Sequence, residues 1–197
     1  MKSLDSWHFF KVMKKYPVAL NYNETIRATL LNESNDFLKM SGLKKTDIRI
    51  HHEEFISFTA LIDKIRKDHL GSVVFIDLWG AWCGACLYDI KHKKALGMDK
   101  IFEKYKVQTV YLCTLSPKKE FDYYINKLDM TGDHYFFSRE QKQEAKGKFN
   151  VYAYPHYMFL NKNGELINDD VPRMVITTKG VARLNQDFID LVKRLSE

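Results

Sequence analysis

Val73-Val74-Phe75-Ile76-Asp77-Leu78-Trp79-Gly80-Ala81-Trp82-Cys83-Gly84-Ala85-Cys86 is the stretch on which the reading of this chain turns. Residues 73–79 are β-branched, aromatic and apolar on both alternating faces, with Asp77 the one charge among them. That is the pattern of a central strand covered on both sides by helices. Beyond Gly80 the pattern becomes helical, and a helix is predicted from about Cys83 to Tyr105. A thiol at a helix N-terminus faces unpaired N–H groups and the positive end of the helix dipole. Both favour thiolate, the attacking species in thiol chemistry. Cys86 follows one turn later on nearly the same face, so the two sulfurs can close a small disulfide ring. Cys83 is therefore expected to be the exposed attacker. Cys86 is expected to be the buried thiol that resolves a mixed disulfide.

Working outward, Ile56, Leu61, Ile62 and Ile65 predict a helix ending near Gly71. Val107–Cys113 reads as a second strand and Glu120–Leu128 as a helix. His134–Phe137 reads as a short strand or edge element, and a helix follows near Glu140–Phe149. Tyr157–Leu160 and Gly164–Val171 read as a hairpin around Asn161-Lys162-Asn163-Gly164. Gly180–Leu195 closes the chain as an amphipathic helix. Strands alternating with helices and ending in a hairpin give an α/β chain with a mixed central sheet flanked by helices. The first 52 residues read differently. One helix runs from Asp5 or Ser6 to Tyr16, where Pro17 stops it, and another from Asn23 to Ser41-Gly42. The expected division is an N-terminal helical segment over 1–52 and a redox domain over 53–197.

Composition agrees with a folded chain. Of 197 residues, 45% are hydrophobic and 28% charged, so a core is expected rather than disorder. The net charge is +6, but the cations are scattered, and the densest run, Lys91-His92-Lys93-Lys94, reads as a solvated face. Nothing matches a nucleic-acid motif, so no nucleic-acid partner is expected. Three cysteines are too few for a disulfide framework. No apolar run approaches the roughly 20 residues a bilayer span needs. Met1-Lys2-Ser3-Leu4-Asp5 shows no secretory signal, which leaves a cytoplasmic chain and a trimmed start both open.

The strand, the aspartate, the aromatic pair and Trp82-Cys83-Gly84-Ala85-Cys86, with Tyr154-Pro155 before a later strand, resemble the thioredoxin superfamily. The resemblance covers roughly residues 53–197. The added length between Cys83 and Pro155 and the hairpin Phe159–Ile167 are similar to its TlpA and ResA branch of thiol–disulfide oxidoreductases. The resemblance implies a thioredoxin fold and a redox-active dithiol needing no cofactor. It implies exchange with protein dithiol or disulfide substrates, more as a reductase than an oxidase, and an upstream redox partner. It also implies a place in the periplasm or cell envelope. Asp77 matches the buried aspartate behind the cysteines. A carboxylate in an apolar strand has a raised pKa and is suited to relay the proton of Cys86; a water-facing Asp at a strand end is the alternative. Pro155 matches a cis-proline, and Trp82, Tyr154 and Pro155 are the expected substrate contacts, with the Tyr154 backbone pairing an incoming strand.

Several positions depart from the pattern. Ala85 stands where thioredoxin has proline, so reducing power does not carry over. Lys91 replaces a helix-kinking proline, predicting a straighter helix. Asp89 sits at an acidic position of the branch or is a surface Asp, and Tyr154 is bulkier than usual. Other readings stay open. The CxxC could belong to a metal-binding module, but there is no second cysteine pair and His92 points elsewhere on the same helix, so no metal is expected. A haem-attachment CxxCH fails at Leu87. A peroxidatic relative would place its reactive Cys in a Thr-rich loop, where this chain has CxxC. A redox-inactive peptide-binding module would have lost a cysteine. Cys113 is expected to be a buried inert thiol.

Overall fold

The computed structural model describes residues 48–169 and 171–197. The chain divides between Thr46 and Asp47. The helices expected within residues 1–46 therefore lie outside the described residues. The sheet also takes in Ile48–Ile50, upstream of the boundary expected at residue 53.

In chain order the elements are β1 (Ile48–Ile50), α1 (Phe58–Asp68), β2 (Val74–Trp79), α2 (Gly84–Ala95), α3 (Met98–Tyr105) and β3 (Gln108–Thr114). Then come α4 (Lys118–Lys127), β4 (Gly132–Phe137), α5 (Arg139–Phe149), β5 (His156–Leu160) and β6 (Leu166–Ile167). A small hairpin, β7 (Val175–Thr178) and β8 (Val181–Leu184), precedes α6 (Gln186–Ser196). The main sheet has six strands in the order β1-β4-β3-β2-β5-β6. β1, β4, β3 and β2 run parallel, while β5 and β6 are antiparallel to their neighbours.

Every residue of β2 is buried, as its two-sided apolar pattern predicts. Val74, Ile76 and Leu78 face a core that includes Phe58, Leu61, Ile62 and Ile65 of α1 and Ala145 of α5. Phe75 and Trp79 face the other side, toward α2, α3, α4 and α6. Asp77 shares this second face by alternation. The Ser57 hydroxyl accepts from the Ala60 N–H at 3.0 Å and starts α1. Ser138 and Gln141 form a reciprocal capping box on α5.

Four expectations change. The helix predicted over 83–105 is two helices, because Gly97 adopts φ +82° between α2 and α3, a conformation glycine supplies without steric cost. The 134–137 segment is a strand as expected, begun earlier at Gly132, but interior rather than at an edge, since β1 pairs beyond it. Among the described residues, the hairpin arm expected over 164–171 is strand only at Leu166–Ile167. The start of the C-terminal helix lies at Gln186, with Asn185 as its cap, because residues 181–184 pair as β8. The β7–β8 turn places both Lys179 and Gly180 at positive φ, the geometry that matches strand twist. A lysine in that position gave no turn signal.

Candidate active site

Cys83 is the N-cap of α2. Its Sγ accepts from the Cys86 N–H at 3.1 Å. No acidic residue occupies the first turn to oppose the helix dipole. Cys83 and Cys86 are joined as a disulfide with Cα atoms 5.3 Å apart. Cys83 retains 6% exposure and Cys86 none, so the outer cysteine is less open than the exposed attacker expected.

The approach to the cysteines is held by neighbouring strand ends. The Ala81 N–H donates to the Ser116 hydroxyl at 2.8 Å, and Ser116 donates to the Thr114 carbonyl at 3.1 Å. The Trp82 indole N–H donates to that same carbonyl at 3.1 Å. Trp82 is half exposed, with its ring edge-on to Tyr154 at 5.4 Å. A Cβ at residue 80 would lie 2.4 Å from the Trp82 ring nitrogen, so only glycine lets the ring fold back there. The Tyr154–Pro155 bond is cis. β5 begins one residue later with His156 opposite Leu78, which brings Tyr154-Pro155 beside the end of β2. Tyr154 packs on the cluster that contains Cys83, Cys86 and Cys113.

Cys113 lies on β3 opposite Trp79 in the sheet. It is fully buried, and its thiol donates to Ser116 at 3.4 Å. Burial pushes the Cys113 thiol up to about 12, so it stays protonated at neutral pH and is a poor nucleophile.

Asp77 is 1% exposed, and neither carboxylate oxygen has a hydrogen-bond partner among the described residues. Burial, reinforced by the negative charge of Asp89, pushes its pKa up to about 8. Lys93 and Arg173 pull the other way and are outweighed. The water-facing alternative for Asp77 is thereby corrected: β2 is a central strand, and no edge is open at residue 77.

Asp89 is fully buried. It accepts from the Tyr157 hydroxyl at 2.6 Å and from Arg173 Nη2 at 2.6 Å and Nε at 3.1 Å. The surface reading of Asp89 is replaced by a buried carboxylate paired with the half-exposed Arg173, which ties α2 to the segment before β7. Lys93 corrects the reading of its basic run as a solvated face. It is 4% exposed, bonded to Asp99 at 2.9 Å and to the Tyr111 hydroxyl at 3.1 Å. Burial opposes its charge, but Tyr111 and Asp99 outweigh that and keep it an ammonium. The signal was present: Cys86, Asp89, Ile90 and Lys93 recur at helical spacing as the buried face of α2. Arg173 had no such signal, because it lies in a loop brought to α2 only by the fold.

Among the described residues no group of three or more His, Cys, Asp or Glu side chains is arranged to hold a metal ion. No described helix is long and apolar enough to cross a membrane.

A parallel-plus-antiparallel sheet, a helix-capping CxxC and a cis-proline beside it define a thioredoxin fold. A solved thioredoxin domain of a thiol–disulfide oxidoreductase from Bacteroides vulgatus superposes with a TM-score of 0.51 at 12% identity, covering 66% of this chain and 84% of that one. In sequence, the chain is similar to thiol–disulfide oxidoreductase ResA of Bacillus thuringiensis, 24% identical over 101 residues, 51% of this chain and 56% of the relative. It is likewise 24% identical over 103 residues to ResA of Geobacillus kaustophilus, covering 51% of this chain and 55% of that one. The chain spans about half the length of these relatives. No family model matches it.

Proposed function

We propose that the chain is a thiol–disulfide oxidoreductase acting on protein substrates through Cys83 and Cys86, with reduction as its working direction. The observation that carries this reading is the Cys83–Cys86 disulfide at the start of α2, beside Trp82 and the cis Tyr154–Pro155 bond. In the reducing direction, the Cys83 thiolate attacks a substrate disulfide. A Cys83–substrate bond forms, and one substrate sulfur leaves as thiolate and takes up a proton. Cys86 then loses its proton and attacks Cys83 Sγ, forming the Cys83–Cys86 bond and releasing the second substrate sulfur. Two electrons pass from the protein dithiol to the substrate. A dithiol partner must return them.

In this reading Asp77 is the base for Cys86. It shares the sheet face covered by α2, and with its pKa raised to about 8 and no hydrogen-bond partner among the described residues, its ionised fraction, which grows toward pH 8, can accept a proton. Trp82, Tyr154 and Pro155 form the wall against which a substrate strand lies. The reductase direction, the upstream partner and a place in the cell envelope rest on the resemblance to the ResA branch. An insulin-reduction assay tests the exchange itself. The parent is expected to turn over and Cys83→Ser to lose activity by at least about 10³-fold, since nucleophilic exchange has no other route; unchanged turnover in the variant sinks the mechanism. Equilibration against glutathione tests direction. A potential near thioredoxin's, about −270 mV, supports reduction, and one near DsbA's, about −120 mV, overturns it.

A further inference from the structure

Beside the cysteine end lies a groove of about 450 Å³ whose floor and rim are aromatic and cationic. Trp82, Tyr152 and Tyr154 supply the rings, and Lys142 and Lys146 of α5 supply the charge. Lys142 Nζ sits 5.4 Å from both the Trp82 and the Tyr154 ring centroids, and Lys146 Nζ lies 6.0 Å from that of Tyr152. Neither ammonium forms an ion pair with a carboxylate of the described residues, and no carboxylate lines the groove. The nearby acid on α5, Glu144, is turned away and engaged by Thr59, the Phe58 N–H and Lys148. Tyr152 is 69% exposed. The backbone of Tyr152-Ala153-Tyr154 makes no backbone–backbone hydrogen bond among the described residues, so it offers a free edge to an extended chain.

We infer that this groove selects substrate segments in which an acidic side chain flanks the reacting cysteine. The occupant is an extended peptide whose carboxylate meets Lys142 and Lys146 while its cysteine reaches Cys83. The inference rests on the oxidoreductase reading above and adds the substrate class to it. Two features select the acidic partner over others. Ring faces hold the ammonium groups in place electrostatically without neutralising them. An incoming carboxylate then gains attraction with no internal partner to displace, while a lysine in the same position is repelled.

The test uses the reduced full chain and three cyclic peptides that differ only at the residues flanking one cysteine of their disulfide: Glu, Gln or Lys. The readout is the second-order rate of peptide reduction at low salt and at about 0.5 M salt, where screening is nearly complete at groove distances. The Glu peptide is expected to react about fivefold faster than the Gln peptide and the Lys peptide correspondingly slower, the scale of one to two exposed ion pairs. The differences collapse at high salt. In the double variant Lys142→Gln/Lys146→Gln, the Glu-to-Lys rate ratio, taken within that variant, falls toward one. Equal rates for all three peptides, or a ratio that survives the double substitution, overturn the inference and leave the oxidoreductase reading standing. A preference for the Lys peptide overturns it as well. No reduction of any peptide removes both readings.

Discussion

Asp77 on β2 and Asp133 on β4 are aspartates of one sheet, 1% and 3% exposed, and they hold opposite protonation states at neutral pH. Asp77 has no hydrogen-bond partner among the described residues, and burial lifts its pKa to about 8. Asp133 is also penalised by burial, but it accepts from Arg49 at 2.8 and 2.7 Å and from His51 at 2.7 Å, with His69 at 3.4 Å. These partners win, and its pKa falls well below the ordinary carboxylate range. Burial by itself therefore does not fix the state of a carboxylate; the partners do. At the β1 edge the charge is saturated and helps hold the edge strand. At the cysteine end the carboxyl has no partner among the described residues and avoids the charge by keeping its proton to higher pH, which leaves a group able to exchange protons near neutrality.

The sharpest way to break this contrast is to measure stability against pH. A raised carboxyl pKa means the folded chain keeps a proton that the unfolded chain has released. Asp77 should therefore lower stability steadily from about pH 4 to about pH 8, by on the order of 5 kcal/mol in all, and no further above that. In Asp77→Asn this slope should vanish, read from urea unfolding across that range. An identical slope in parent and variant would show that the aspartate is solvated. Next in size, Asp77→Asn should slow resolution of the mixed disulfide about 100-fold near pH 8, the usual weight of a general base. The parent rate should climb with pH and level off near 8, and the variant should lose that inflection.

Asp133→Asn should cost about 1–2 kcal/mol, because Arg49 is half exposed and its attraction is partly screened. Its pH signature runs the opposite way. A depressed pKa gives stability that is present above about pH 4 and is lost as pH falls further. Exchange rates should stay within about twofold of the parent, as for other substitutions remote from a site; a large loss of activity would mean that the two strand ends are coupled. The smallest effect is expected from Asp89→Asn. Removing that neighbouring negative charge should move the Asp77 inflection to lower pH. A shift to higher pH would show that the Asp89–Arg173 pair acts through packing rather than charge.

How much of this was legible depended on whether the signal was local. Cys83, Cys86 and Asp77 lie on one strand–loop–helix unit, so spacing and apolar context pointed to them. The cis bond at Pro155 followed from resemblance to a known pattern. The break at Leu96-Gly97 was missed because the apolar spacing of α3 continues that of α2 with little interruption. The β7–β8 hairpin was missed because most of its side chains apart from Val175 are exposed, so no buried face marks it, and its turn carries a lysine. Lys93 was misread although its spacing with Cys86 and Asp89 marked the buried face.

The sequence by itself determined the dithiol, the strand that ends beside it and the class of chemistry a thiol at a helix start performs. Those follow from periodicity and from backbone groups that any helix leaves unpaired. Only the tertiary structure decided which groups meet the buried aspartates of the sheet and of α2. Arg173, Tyr157, Lys93 and Tyr111 come from separate segments, and Asp133 meets Arg49 and His51 only because β1 pairs with β4. Electrostatic energy depends on separation and burial in three dimensions, which residue order along the chain does not encode locally.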